Sequence, residues 1–137
     1  MSSNQVSKLI RSAPYFPVAD VEGSMAFYEQ TLGFGTEYSA GTPLQFAICS
    51  RDGLAVMLKR VPALQFIVPN EKQGGTWDAF FWVSDAEGLH AEFNAKGADI
   101  IYGPVIQDAY RMKEFAVRDC DGHVLGFGQP VDSDEDA

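Results

Sequence analysis

Cysteine and histidine are scarce in this chain: Cys49 and Cys120, His90 and His123, in 137 residues. Two separated cysteines build no disulfide framework, and no CxxC pair points to zinc. No apolar run reaches the ~20 residues that a bilayer-spanning helix needs. The opening MSSNQVSKLIRSA lacks the charged-then-apolar pattern of a signal peptide. The expectation is a soluble, cytoplasmic protein without a membrane partner. Basic residues are few as well, 10 Lys and Arg against 19 Asp and Glu, for a net charge of −9. Phosphate binding needs a basic face, so nucleic acid is excluded as a partner. No Ser or Cys sits in a nucleophile elbow, and no glycine-rich loop opens a helix as a phosphate cradle does.

Hydrophobic residues make up 46% of the chain, enough for one domain with a real core. Residues 114–129, EFAVRDCDGHVLGFGQ, read as a β-hairpin. An apolar run leads into Asp119-Cys120-Asp121-Gly122, and a second run, Val124-Leu125-Gly126-Phe127, leaves it. Asp and Gly suit a reversal, because Gly accepts positive φ and Asp bonds its own backbone. An earlier echo runs from Phe46-Ala47-Ile48 through Asp52-Gly53 to Leu54-Ala55-Val56-Met57-Leu58.

Around these hairpins the chain divides in two. Residues 1–11 form an arm. Residues 13–18 read as a short strand whose Pro14 and Pro17 place it at a sheet edge. Asp20 caps a helix with Val21, Met25, Tyr28 and Leu32 at helical spacing and Gly33 as its stop. A strand over 34–38, a loop, and the first hairpin follow. Residues 61–75 are a linker, with a brief strand expected at 65–68. The pattern then restarts: a strand over 76–83, a helix capped by Asp85 with Ala86, Leu89 and Phe93 on one face, a strand over 100–102, a loop over 103–110, and the final hairpin. VADVEG at 18–23 matches VSDAEG at 83–88. Module one thus covers about 12–60 and module two about 76–130. An acidic tail over 131–137, with Asp132, Asp134, Glu135 and Asp136, is expected to be solvated. The fold class is α+β: two paired βαβββ modules forming curved mixed sheets around a concave cavity, with helices on the convex faces.

VADVEGSMAFYEQTLGF resembles the opening signature of the vicinal-oxygen-chelate superfamily, which includes glyoxalases, ring-cleaving dioxygenases and bleomycin-resistance proteins. EFAVRDCDGHVLGFGQ resembles its closing signature, and with FFWVSD the resemblance covers nearly the whole chain. It implies homodimers with pockets inside U-shaped sheets. Enzymes of the group hold a divalent metal through one His, Glu or Gln from each of four concave strands. Counting from the motifs, those positions read Ala13, Met57, Asp78 and Gly126 here. One carboxylate and a thioether do not hold a catalytic ion, so the resemblance points to the metal-free, bleomycin-resistance-like branch, with no cofactor. His90 falls mid-helix and His123 in a turn, both as ordinary surface or turn residues.

Strand alternation sorts the cavity lining. Inward positions are Ala13, Tyr15 and Pro17; Gln45, Ala47 and Cys49; Ala55, Met57 and Lys59; Asp78, Phe80 and Trp82; Met112, Glu114 and Ala116; and Val124, Gly126 and Gly128. Phe46, Ile48, Val56 and Leu58 are then expected against one helix, and Phe115, Val117, Leu125 and Phe127 against the other. The expected ligand-binding residues are Tyr15, Gln45, Met57, Asp78, Phe80, Trp82, Tyr110, Met112 and Glu114, with Tyr110 as a lid. Gly126 and Gly128 are expected to let a ligand approach the sheet. Aromatic walls with carboxylates suit a bulky aromatic compound, a cationic one included. The functional expectation is sequestration of such a compound, as in antibiotic resistance, by a homodimer. Two readings stand beside it. One is an enzyme (lyase, isomerase or dioxygenase) with a displaced or absent metal site and Asp78 or Glu114 as base. The other places those two carboxylates at a wet rim, paired with Lys59, Lys113 or Arg111, and makes Phe80 and Trp82 plain cavity filling.

Overall fold

A computed structural model describes residues 6–132 of the chain. Module one runs β1 (Tyr15–Val18), α1 (Val21–Leu32), β2 (Gly35–Ala40), β3 (Phe46–Arg51) and β4 (Leu54–Arg60). Module two repeats it as β5 (Ala79–Trp82), α2 (Ala86–Ala95), β6 (Asp99–Gln107), β7 (Met112–Arg118) and β8 (Val124–Pro130). Each module makes a four-stranded sheet in the same order, β1-β4-β3-β2 and β5-β8-β7-β6. The first strand pairs parallel with the last and the rest are antiparallel, so both sheets are mixed. The repeat seen in the sequence is therefore a repeat of topology.

Local chemistry sets the elements. Gly33 ends α1 in the left-handed region at φ 73° and donates back to the Glu29 carbonyl, while the Phe34 N–H reaches the Tyr28 carbonyl. Asp85 caps α2 by accepting the Gly88 N–H. Asp20 stands at the N-cap of α1 but makes no such bond. A residue of the other module fastens the helix start instead: the Asp121 carboxylate accepts from Ala19 N–H at 3.0 Å and from Ser24 Oγ at 3.1 Å, placing negative charge at the positive end of the helix.

The helices lie on one face of each sheet, α1 against β3 and β4, α2 against β6, β7 and β8. One apolar cluster runs through both modules. Val21, Tyr28 and Leu32 of α1 meet Val56 and Leu58; Phe93 of α2 meets Phe115 and Phe127. Phe34 touches Phe81 edge-on at 6.0 Å, which joins the two halves. Phe127 stacks on Phe81 and Phe115 at 5.4 and 5.3 Å. Among the described residues no helix is long and apolar enough to cross a membrane.

Several expectations are corrected. Residues 65–68 form no strand; the linker instead folds into 3-10 turns at Leu64–Phe66 and Asn70–Gln73. The strand expected at 100–102 extends to Gln107 through two register shifts, so the loop it feeds is short. Val131 is not part of a solvated tail: it is buried and donates its N–H to the Arg111 carbonyl. Residues 133–137 lie outside the described part of the chain. His123 is buried rather than at the surface.

The first hairpin carries the largest correction. Asp52 and Gly53 both take positive φ, 54° and 82°, and form a two-residue loop between Arg51 and Leu54. In this register Ala47, Cys49, Val56 and Leu58 share one face, which is the core. Phe46, Ile48 and Ser50 share the other with Lys59, Met57 and Ala55. Ala47 and Cys49 therefore point at the helix, and Phe46 and Ile48 point away from it, the reverse of expectation. Gln45, one residue before Phe46, alternates to the side opposite Phe46 and spends its amide on the Pro43 carbonyl at 3.3 Å.

Two tests follow from these contacts. Tyr28 is fully buried and donates its hydroxyl to Asp119 at 2.7 Å, across the modules. Tyr28→Phe should lower unfolding stability by about 1–3 kcal/mol, because it strips a donor from a buried carboxylate; urea denaturation measures this, and an unchanged midpoint would mean that the two backbone donors to Asp119 suffice. Arg11 donates to both oxygens of Glu37, at 2.7 and 3.2 Å, and its guanidinium holds that carboxyl down at about 2. A depressed carboxyl contributes stability above its ordinary value that is lost as pH falls, so the hold of the arm on β2 should fade between pH 4.5 and about 2. NMR titration of Glu37 reads this directly, and Arg11→Ala should return its midpoint toward the ordinary range.

Candidate functional site

The faces turned away from the helices carry the exposed aromatic groups. In module one, the pairings of β1, β4, β3 and β2 put Tyr15, Met57, Phe46, Ile48 and Tyr38 on one surface. Phe46 lies between two tyrosines, 6.5 Å from Tyr15 and 6.2 Å from Tyr38. Tyr15 and Tyr38 are 59% and 55% exposed, far more than large aromatics need be in a closed fold. Phe46 and Tyr38 escaped sequence reasoning; the Asp52-Gly53 loop length was the signal that could have placed Phe46.

In module two, Phe80, Trp82, Glu114, Ala116, Gly126 and Gly128 share the corresponding face, as the alternation pattern indicated. The two glycines do not leave open floor. A Cβ on Gly126 would stand 2.7 Å from the rings of Phe80 and Trp77, and one on Gly128 would stand 2.6 Å from Phe80 and 2.7 Å from Met112. The glycines are seats for this module's own aromatic side chains, so a ligand does not approach the backbone there. Trp77, Phe80 and Trp82 form an edge-to-face row with centroids 4.7 and 5.2 Å apart. Only the last of them, Trp82, is largely exposed, at 66%.

Beside this row lies a polar network. Glu114 is 1% exposed, so it does not stand at a wet rim. Its oxygens accept the Tyr102 hydroxyl at 2.5 Å and the Tyr110 hydroxyl at 2.8 Å. Trp77 Nε1 donates to the Tyr102 oxygen at 2.9 Å. Burial first, and then the hydrogen bond to Glu114, raises both phenols, Tyr110 to about 12 and Tyr102 beyond it, so both remain donors. Tyr102 and Trp77 were not anticipated, because residue 102 was placed at a strand end and 77 on the face opposite 78 and 80.

Asp78 is spent differently. Its two oxygens accept backbone N–H groups, Asn70 at 2.9 Å and Val124 at 2.8 Å, which tie the linker and the start of β8 to the start of β5. His123 stands close by. Its ring stacks on Phe16 at 4.5 Å, and Nε2 lies 2.8 Å from the Pro17 carbonyl. A carbonyl only accepts, so Nε2 carries the proton; Nδ1 has no partner and lies 4.0 Å from Asp78 Oδ2. Lys113 reaches Glu87 at 3.8 Å, and Arg111 reaches Asp108 at 3.2 Å.

Among the grooves that open along the seam of the modules, two carry most of the expected aromatic residues. One, of about 330 Å³, is lined by Tyr15, Asp78 and His123 together with Phe66 and Val68 of the linker. The other, of about 350 Å³, is lined by Phe80 and Trp82 together with Pro14, Leu54 and Ala55. Both volumes lie at the small end of the range for organic-ligand pockets. The expected binding residues are therefore distributed. Tyr15 and Asp78 share the first groove, Phe80 and Trp82 the second. Glu114 and Met112 lie buried on the second sheet, Tyr110 in the exposed loop before β7, Met57 on the first sheet, and Gln45 on neither exposed face. Among the described residues, no group of three or more His, Cys, Asp or Glu gathers as metal ligands do.

The chain matches the family model of the Glyoxalase/Bleomycin resistance protein/Dioxygenase superfamily over residues 11–127. No curated protein matches it by sequence. Solved structures share its fold. TioX from Micromonospora sp. ML1 is 19% identical, with 89% of this chain and 99% of that one covered at a TM-score of 0.71. The bleomycin resistance determinant encoded on transposon Tn5 is 21% identical, with 89% and 98% covered at 0.71. The bleomycin-binding protein from Streptomyces verticillus, solved with copper(II)-bleomycin, is 21% identical, with 93% and 100% covered at 0.67.

The filled floor of module two is testable. Gly126→Ala should expel the Trp77 or Phe80 ring, cost about 1–3 kcal/mol, and change the near-ultraviolet circular dichroism. Full retention of both signal and stability would show that the rings are free to move aside.

Proposed function

Because the chain belongs to the Glyoxalase/Bleomycin resistance protein/Dioxygenase superfamily, we propose that it is a small-molecule binding protein that sequesters a bulky aromatic compound without metal. The observation that carries this reading is the set of uncovered aromatics, Tyr15, Tyr38 and Trp82, on faces that hold no catalytic donor set. At the four positions where the family's enzymes bind their ion stand Ala13, Met57, Asp78 and Gly126. Asp78 is committed to two backbone N–H groups, and Gly126 lies under Trp77 and Phe80. A divalent ion needs several oxygen or nitrogen donors with free lone pairs, and this set does not fit one. Two structural neighbours support the binding role, the bleomycin-binding protein and TnmS3, an antibiotic-binding protein. A further part of the proposal is that the working unit is a cytoplasmic homodimer, in which a second copy closes the exposed aromatic faces into pockets. Aromatic side chains grip flat ligands by stacking, and the negative net charge favours cationic ones.

The test is binding of aromatic antibiotics, bleomycin among them, followed by tryptophan fluorescence. Trp82→Ala should raise Kd at least tenfold, about 1.4 kcal/mol or more. An unchanged Kd removes Trp82 from the site, and stoichiometric metal uptake after dialysis against micromolar Mn, Fe, Ni and Zn removes the metal-free part.

A further inference from the structure

The placement of Glu114 goes beyond aromatic binding and rests on that reading. A carboxylate this deeply buried is costly unless charge-assisted hydrogen bonds hold it. Two hydroxyls do so, and they are not alike. Tyr102 is anchored, since its oxygen is itself held by Trp77 Nε1 at 2.9 Å. Tyr110 is 48% exposed and receives no such support. It sits in the short loop between β6 and β7, next to Arg111, whose φ of 53° places a side-chain-bearing residue in the left-handed region. Such a backbone is tolerated only where its surroundings hold it. The Tyr110 hydroxyl on Glu114 is one of those holds.

We propose that Tyr110 is a displaceable latch, and that Glu114 beneath it is the recognition point for an organic cation. When a ligand lays its ring along Phe80 and Trp82, its ammonium or amidinium N–H replaces the Tyr110 hydroxyl on the Glu114 oxygen. The strained loop then swings out. A neutral ligand offers a weaker donor and leaves the latch closed. The exchange trades a neutral donor for a charged one at a desolvated carboxylate, so it discriminates by charge more sharply than an exposed carboxylate does. Asp78 is excluded from the role because both its oxygens already serve backbone N–H groups.

The probes are two flat dyes at pH 8, the cation 9-aminoacridinium and uncharged acridine, titrated by fluorescence. Salt of about 0.3 M screens the general attraction of an acidic protein. The full chain should bind the cation about tenfold more tightly than acridine. Glu114→Gln keeps the shape, with a carbonyl oxygen for one hydroxyl and an amide N–H toward the other; it should remove the preference and retain acridine binding. Tyr110→Phe alters only a half-exposed hydroxyl. It should tighten the cation by about threefold, because a competing donor is gone, and leave acridine unchanged. Equal binding of the two dyes overturns the inference and leaves aromatic binding standing. A preference that survives Glu114→Gln, or cation binding that is unchanged or weaker in Tyr110→Phe, overturns it as well. Failure of both dyes to bind overturns the aromatic-binding reading and the inference together.

Discussion

The constraint on which the structure depends is the seating of the second module's final turn on the first module. Asp119 accepts the Tyr28 hydroxyl and the N–H groups of Asp121 and His123. Asp121 reaches the start of α1, and His123 stacks on Phe16 and bonds the Pro17 carbonyl. Three side chains from a five-residue turn thus meet a strand, a helix start and a helix interior of the other half. Burial pushes the Tyr28 phenol well up and raises the Asp119 carboxyl, so both are out of water. Groups so placed are stable only while paired, which makes the junction all-or-none rather than gradual. On the far side, Arg51 reaches Glu92 of α2 with both nitrogens and also holds the Leu32 carbonyl, a second clamp between the modules.

The two exposed faces differ as a consequence of what each module spends on itself. Module one leaves Tyr15 and Tyr38 exposed on either side of a half-buried Phe46. Module two folds its aromatic side chains onto its own glycines and encloses Glu114 under two tyrosines. A duplicated topology has thus produced one open apolar surface and one closed polar network. The asymmetry suits a site assembled from unlike halves, one for contact area and one for charge.

Much of the fold was legible because it is written locally: a cap at Asp85, stops at Gly33 and Gly97, and a repeat that doubles most cues. The second sheet's faces were legible too. The first sheet's were not, and the reason is loop arithmetic. Five residues link β7 to β8, and two link β3 to β4. The difference is odd, so residues facing each other have like parity in one hairpin and unlike parity in the other. Treating the hairpins as equivalent flipped every side chain of β3, as any one-residue slip does. His123 and Tyr102 were illegible for a different reason. Their roles come from partners 106 and 12 residues away, Pro17 and Glu114, which no local pattern announces.

Catalysis and sequestration ask different things of the same scaffold. An enzyme site keeps donors with free lone pairs aimed at empty space, and accepts the cost of holding them there. The positions that the family resemblance assigns to metal ligands are engaged structurally here. Asp78 fastens the linker to β8, Gly126 makes room for two rings, and Met57 lies in an apolar face. Glu114 has two donors already in place and no nucleophile or imidazole among its hydrogen-bond partners. What remains accessible is aromatic area beside a guarded carboxylate, the combination on which the proposed binding role rests.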